Sequence, residues 1–353
     1  MLQTLVIGLG RSGAGLHLPV LARIRDSATP GPMATGKPIV ACDPVTESTR
    51  FPPGVVAVRS IERALPLLDP AATVVHLCTP PGSRSRLLDQ LAPLGFGRFV
   101  LEKPIATHGR ELRRIRRIRE QYGLGLVVVA PWLAAALTRR LTEIVRSGEL
   151  GALRSLTVHQ HKPRFHRSLT TSGHPTAFDV EIPHALPVAL RLAGPAELVN
   201  ASWQTLRCAE RDIPRLGGAR LTLAHTNGAH SEFASDLTSP RRERRITLRL
   251  EHGTVTANYP LSQEDDHAQL TIRTPDRHEH TVFRDDALSA FFFGAYRRLT
   301  GPANGQDRAD SPDDEFDLHH ETVRLLCAAK SHCEGNSSAD VPDQRRAVPQ
   351  HVG

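Results

Sequence analysis

Lysine is scarce in this chain of 353 residues. It stands only at Lys37, Lys103, Lys162 and Lys330, so arginine supplies 40 of the 44 basic residues. That bias suits a GC-rich coding sequence, and it marks each retained lysine as a place where an ammonium differs in use from a planar guanidinium. Cysteine is also sparse: Cys42, Cys78, Cys208, Cys327 and Cys333 are odd in number, scattered, and never spaced C-x-x-C. This excludes a disulfide framework and a structural zinc site, and it suits a reducing, cytoplasmic setting. Long apolar runs are missing too. The stretch from Leu124 to Leu137 falls short of the roughly 20 residues a membrane span needs. The N-terminus has no basic region ahead of an apolar core, so no secretory signal is expected. Aromatic residues make up only 5% of the chain, and none is interleaved with the basic runs as base stacking would require. The net charge of +7 is therefore read as solvated surface rather than a nucleic-acid footprint. Its densest run, Glu111 to Glu120, carries Leu112, Ile115 and Ile118 on one helical face with arginines outward. A second run, Arg241 to Arg245, reads as a loop.

What is present describes a globular chain with 40% apolar and 23% charged residues, long enough for two domains. Short apolar strands alternate with helices from Leu5 to Val129. The strands read at 5–7, 38–42, 73–78, 98–101 and 124–129, and the helices at 61–68, 87–94 and 110–121. Such alternation predicts an α/β domain with a doubly wound parallel sheet over residues 1–126. Beyond residue 150, six short alternating strands follow one another: 153–158, 198–203, 219–223, 246–250, 255–259 and 270–272. They predict a second α+β domain with a mostly antiparallel open sheet over 127–334. One apolar, helix-sized segment, 178–192, interrupts them. Helices are read again at 287–299 and 314–331, separated by a loop at 301–312, and residues 335–353 form a polar tail.

Gly8, Gly10 and Gly13 form a G-x-G-x-x-G turn, with Arg11 and Ser12 inside it. The motif is common, but here a strand precedes it, a helix follows, and Asp43 closes the next strand. Gly8 permits the tight turn, Gly10 the close approach of a pyrophosphate, and Gly13 the packing of helix on strand. The phosphates then meet the helix N-terminus. Asp43 is placed to accept from ribose hydroxyls and to repel a 2′-phosphate, which favours NAD over NADP; Arg50, nearby, blurs that preference if it reaches the ribose. Ligands of such sheets bind beyond the carboxyl ends of the strands, where Thr79-Pro80 and Glu102-Lys103-Pro104 also lie.

The order strand, Thr79-Pro80, helix, strand, Glu102-Lys103-Pro104 resembles the glucose–fructose oxidoreductase, inositol dehydrogenase and rhizopine-catabolism (Gfo/Idh/MocA) family. His17 after the glycine turn and Ser147 to Gly151 before a strand fit the same pattern. The resemblance implies a Rossmann domain that binds a nicotinamide dinucleotide through Gly8 to Gly13, Asp43, Thr79, Pro80, Glu102 and Lys103. It also implies hydride exchange at a carbinol carbon, with Lys103 reaching the reacting oxygen. Chemically, an ammonium there stabilises an alkoxide.

The family's second signature, an acid four residues before a histidine, is altered here. His184 matches the histidine, but position −4 is Val180, with Asp179 and Glu181 on either side. His184 is expected to accept the proton, with Glu181 as its orienting partner and Asp179 as the reserve or a helix cap. Pro183 and Pro187 bear on where that helix starts. A histidine the family often carries after Thr-Pro is replaced by the run Ser83 to Arg86, and its usual aromatic and arginine residues by Trp132 to Ala136. His159 and His161 share one strand face, to touch substrate, a subunit neighbour or solvent. No metal site is expected from them or from His319, His320 and Glu321.

These features lead to one expectation: a cytoplasmic NAD-dependent oxidoreductase of a sugar, aminosugar or cyclitol. Its substrate is a small polyhydroxylated molecule, and the resemblance implies a homodimer or homotetramer. The altered acid leaves open a non-catalytic NAD or ligand sensor, or a reductase of an imine or carrier-bound intermediate.

Overall fold

The computed structural model describes every residue except 28–30, 32, 34–35, 46–50, 171–172, 263, 301–311 and 340–353. Arg50, the loop at 301–311 and the tail beyond 339 thus lie outside the described residues.

The first sheet has six parallel strands: β1 (Gln3–Ile7), β2 (Ile39–Cys42), β3 (Val55–Val58), β4 (Thr73–Leu77), β5 (Arg98–Leu101) and β6 (Gly125–Val128). Their order is β3-β2-β1-β4-β5-β6. β2 and β4 are buried along their whole length, as expected of parallel strands covered on both faces. β3 was not read from the sequence, because it is a half-exposed edge with little apolar alternation. The strand order reverses between β1 and β4, which opens the crevice where such sheets bind ligands. Four helices accompany these strands: α1 (Leu18–Arg25), α2 (Ile61–Ala64), α3 (Arg84–Leu91) and α4 (Gly109–Tyr122). A short π-helical turn, Gly13–His17, leads into α1, and Pro19 sits in the first turn of α1. The helical run nonetheless continues through it, from Arg11 to Arg25. α4 buries Leu112, Ile115 and Ile118, and Arg114 and Arg116 form exposed pairs with Asp89 and Glu120.

Helices α5 (Pro131–Ala134), α6 (Ala136–Ser147), α7 (Phe165–Thr170) and α8 (Ile182–Ala193) go with the second sheet. Its eight strands are β7 (Leu153–His161), β8 (Ala196–Leu206), β9 (Ile213–His225), β10 (His230–Asp236), β11 (Glu243–Leu250), β12 (Gly253–Asn258), β13 (His267–Arg273) and β14 (His278–Arg284). They run β14-β13-β12-β11-β7-β10-β9-β8, antiparallel except for the β7–β10 pair. Two of them escape a sequence reading. β10 turns Ser231 and Ser235 inward with Phe233, so its buried face is not apolar in sequence. β14 is an edge strand, exposed almost throughout. The arginine run at 241–245 is only partly a loop: β11 begins at Glu243 and takes in Arg244 and Arg245.

The last two helices are α9 (Ala287–Thr300) and α10 (Pro312–Ala339). α9 returns to the first sheet and buries Phe291, Phe292, Tyr296 and Leu299 against Leu18, Leu21, Val74 and Val100. α10 bridges the halves. Its Phe316 and Val323 pack with the parallel sheet's core, and Leu325, Leu326 and Ala329 with the antiparallel sheet's core. The crevice at the strand ends is thereby held against a fixed second layer.

Candidate active site

The glycine turn shows a different constraint at each glycine. Gly8 has φ +92, a left-handed conformation that an L side chain resists. A Cβ on Gly13 would stand 1.9 Å from Gly8 O, whereas one on Gly10 would meet nothing within 4 Å. Gly13 thus fits helix-on-strand contact, and Gly10 leaves open space over the turn that suits a phosphate group. Arg11 is exposed beside it, and Ser12 lies in the first helical turn. Asp43, at the end of β2, accepts the Leu9 N–H at 2.7 Å through Oδ2 and the Val45 N–H at 2.9 Å through Oδ1. Its carboxylate is therefore anchored to the glycine turn itself.

Thr79 and Pro80 follow β4. Thr79 Oγ1 is buried with no hydrogen-bond partner, which is unusual enough to suggest that a ligand supplies one. Thr79 O accepts from Nε and Nη2 of Arg84 at 3.3 and 3.1 Å, and Arg84 Nη1 donates to Pro104 O. The fully buried Arg84 guanidinium therefore ties the loop after β4 to the loop after β5. Burial pulls its pKa down to about 10. This residue replaces the expected histidine, and its positioning role was not read from the sequence.

Glu102 ends β5 in a buried position, where its Oε1 accepts from His17 Nε2 at 3.0 Å and its Oε2 from the Lys103 N–H at 3.1 Å. His17 Nδ1 lies 3.0 Å from His76 Nδ1, His76 Nε2 3.0 Å from Tyr296 Oη, and Tyr296 Oη 2.6 Å from Thr4 Oγ1. Glu102 thus anchors a buried hydrogen-bonded chain running under the sheet into α9. The Lys103–Pro104 bond is cis. Lys103 Nζ reaches across to the second layer and donates to Val180 O at 2.8 Å. Burial lowers its pKa to about 8, partly offset by Glu181 and Glu102.

His184 sits in the first turn of α8, which begins at Ile182 and keeps Pro183 in that turn and Pro187 inside. Its ring is stacked at 6.4 Å on Trp132, which in turn stacks on Tyr259 at 4.0 Å. Trp132 therefore forms one wall of the site. Burial, together with Lys103, Arg244 and Lys162, holds the His184 imidazole well below its usual pKa, so it is neutral. Its Nδ1 is buried without a hydrogen-bond partner.

Neither expected acid orients it. Asp179 Oδ2 accepts from Thr176 N and Oγ1 in a capping box, and its Oδ1 accepts from Lys330 Nζ at 2.5 Å. Asp179 thus closes the short turn 177–179 rather than capping α8, whose N-cap is Glu181. Glu181 pairs with Lys162 Nζ at the end of β7. Glu181 is the N-cap of α8, already with helical backbone angles, but its carboxylate turns to Lys162 rather than to His184. The Glu181 carboxyl lies below its usual pKa because Lys162 and Lys103 outweigh burial. His174, also unread in the sequence, lies among Lys103, Arg164, Arg167 and Lys162, and burial plus those cations hold it at about 3.

His159 and His161 lie outside this cluster. With Glu243 they place one ligand atom each within 4.8 Å of the others. They line a cavity of about 250 Å³ on the sheet face with Arg220 and Asp236.

No protein-family model matches the chain, and no curated protein does. Solved structures do match along nearly its whole length. KijD10, a 3-ketoreductase from Actinomadura kijaniata in complex with NADP and TDP-benzene, is 16% identical with a TM-score of 0.73, covering 94% of this chain and 98% of that one. A putative NADPH-dependent oxidoreductase from Desulfitobacterium hafniense is 14% identical, with a TM-score of 0.76 and coverage of 95% and 96%. Levoglucosan dehydrogenase in complex with NADH and L-sorbose is 16% identical, with a TM-score of 0.70 and coverage of 94% and 97%. The fold is the one these oxidoreductases share: a Rossmann-like parallel sheet joined to a mostly antiparallel sheet.

Proposed function

We propose that this protein is a nicotinamide-dependent oxidoreductase that interconverts a secondary alcohol and a ketone on a sugar or related polyol. The observation that carries this reading is the position of Lys103. Its ammonium leaves the end of a Rossmann strand and reaches Val180 O, just ahead of α8 and His184. The similar structures add support, since their ligands are NADP or NADH together with TDP-benzene or L-sorbose. The open space at Gly10, the partnerless Thr79 Oγ1 and the anchored Asp43 carboxylate fit a dinucleotide.

A bound nicotinamide supplies the hydride donor or acceptor. Lys103 does the proton work. With a pKa of about 8, it holds both forms near neutral pH, so it can protonate a forming alkoxide in reduction or take up the proton in oxidation. His184 has the opposite property. Neutral and surrounded by cations, it is a poor proton reservoir and serves as a hydrogen-bond partner that orients a substrate hydroxyl. The expected role of proton acceptor thus passes from His184 to Lys103. Asp43 selects NAD over NADP by charge. The test is a turnover screen with NAD and NADP against sugars, cyclitols and their keto forms. Tight NADH binding with no turnover of any of them would favour a ligand sensor on the same scaffold.

A further inference from the structure

Four basic residues converge on one carboxylate in the cleft. Glu181 is the carboxylate that Lys103, Lys162, Arg164 and Arg167 all feel, and Lys162 has already claimed it as an ion-pair partner. Arg164 is the residue this leaves worst served. Only 5% of its surface is exposed, its Nη1 donates to Ser168 Oγ at 3.0 Å, and its Nε has no acceptor. No carboxylate among the described residues forms an ion pair with it. A guanidinium buried without a counter-ion is costly, and folded proteins rarely keep one unless an anion arrives. Burial, with Arg167 and Arg11 outweighing Glu181, pulls the Arg164 pKa to about 10. Arg164 follows two residues after Lys162, whose partner Glu181 adjoins Val180, the residue that accepts from Lys103 Nζ. The charges of Arg164 and Lys103 both act on His174.

We propose that Arg164, assisted by Arg167 and Lys162, seats a phosphate group carried by the substrate, so that the substrate is a phosphorylated rather than a neutral sugar. The assignment rests on the oxidoreductase reading above. Guanidinium forks match phosphate oxygens in pairs, and Arg164 and Arg167 stand three residues apart at the start of α7. The same chemistry has a second source, because Arg164 also feels Arg11 of the glycine turn: the pyrophosphate of the dinucleotide.

Calorimetric titration of inorganic phosphate at constant ionic strength, with and without saturating NADH, separates the two sources. Substrate-side seating predicts that the NADH-loaded protein binds phosphate, that Arg164→Gln weakens this binding at least tenfold, and that Arg164→Lys retains part of it. Phosphate binding that disappears once NADH is loaded assigns Arg164 to the cofactor and overturns the proposal. Equal binding by wild type and Arg164→Gln, or no binding at all, overturns it as well. So does binding of acetate in place of phosphate. A melting series guards against misfolding. Arg164→Met should melt no lower than wild type without ligand, because it removes a buried uncompensated charge, and phosphate should raise only the wild-type melting temperature. A lower melting temperature for the ligand-free Arg164→Met protein counts against the proposal, since it makes the guanidinium a structural support. If NADH does not bind, the oxidoreductase reading falls and the substrate assignment with it, while Arg164-dependent phosphate binding would preserve the anion seat.

Discussion

Glu181 stands three residues before His184, yet its carboxylate pairs with Lys162 on another element. That pairing makes the site an electrostatic unit in which one carboxylate tunes two lysines. It raises the pKa of both Lys103 and Lys162 against the burial that lowers them.

A pH profile exposes this tuning. Under the proposed function carbonyl reduction uses the Lys103 ammonium, so its rate is expected to fall as pH rises through about 8, while alcohol oxidation rises to a plateau over the same range. Glu181→Gln removes the charge that favours the ammonium, so the midpoint moves to lower pH. Lys103→Met should cost about 10²–10⁴ in turnover. An unchanged midpoint in Glu181→Gln would show that the carboxylate does not set the Lys103 pKa.

The last two glycines of the turn separate folding from binding. Gly13→Ala places a methyl into Gly8 O and should cost about 3 kcal/mol or more, as overpacking against backbone does. Gly10→Ala meets open space and should leave the melting temperature nearly unchanged while weakening NADH binding about tenfold. Thermal melts and fluorescence titrations of both variants decide the matter. Intact NADH binding by Gly10→Ala would refute phosphate seating over the turn.

Asp43 offers a charge test of cofactor choice. NADH is expected to bind about tenfold or more tightly than NADPH, and Asp43→Asn should narrow the gap to about twofold. Asparagine retains an oxygen to accept the Leu9 N–H and gives up the acceptor of the Val45 N–H, so a melting control separates the lost repulsion from the lost bond. Equal binding of both cofactors by wild type would remove the NAD assignment.

Arg84 is expected to act through position rather than contact. Arg84→Met leaves the Thr79 and Pro104 carbonyls without their donor and should cost about 1–3 kcal/mol in denaturant unfolding. It should also lower kcat and raise the cofactor KM together, because both strand-end loops loosen. Arg84→Lys should rescue little, since an ammonium lacks the fork that spans two carbonyls. Full rescue by lysine would make the strap a matter of charge alone.

Much of this molecule was legible as local pattern. The alternation of short strands and helices, the glycine turn closed by Asp43, and the run Glu102-Lys103-Pro104 at a strand end are set by neighbours in the chain. Backbone periodicity and turn chemistry act over a few residues, which is why they survive in sequence. β3 and β14 did not show, because edge strands with exposed faces carry little apolar alternation.

Charge partners obey no such rule. Asp179 and Lys330 meet across 151 residues of sequence, Arg84 reaches two loops, and Arg164 is left buried without a counter-ion, all through packing that brings distant segments together. Desolvation then decides what each group does: it lowers Lys103 into a useful range and leaves His184 neutral. The scarcity of lysine was visible from the start, but its meaning was not. Of the four lysines, Lys103 sits in the cleft, Lys162 holds Glu181 and Lys330 holds Asp179. The sequence determined that an ammonium was kept at those positions, and only the tertiary structure, by burying each beside a particular oxygen, decided what each one is for.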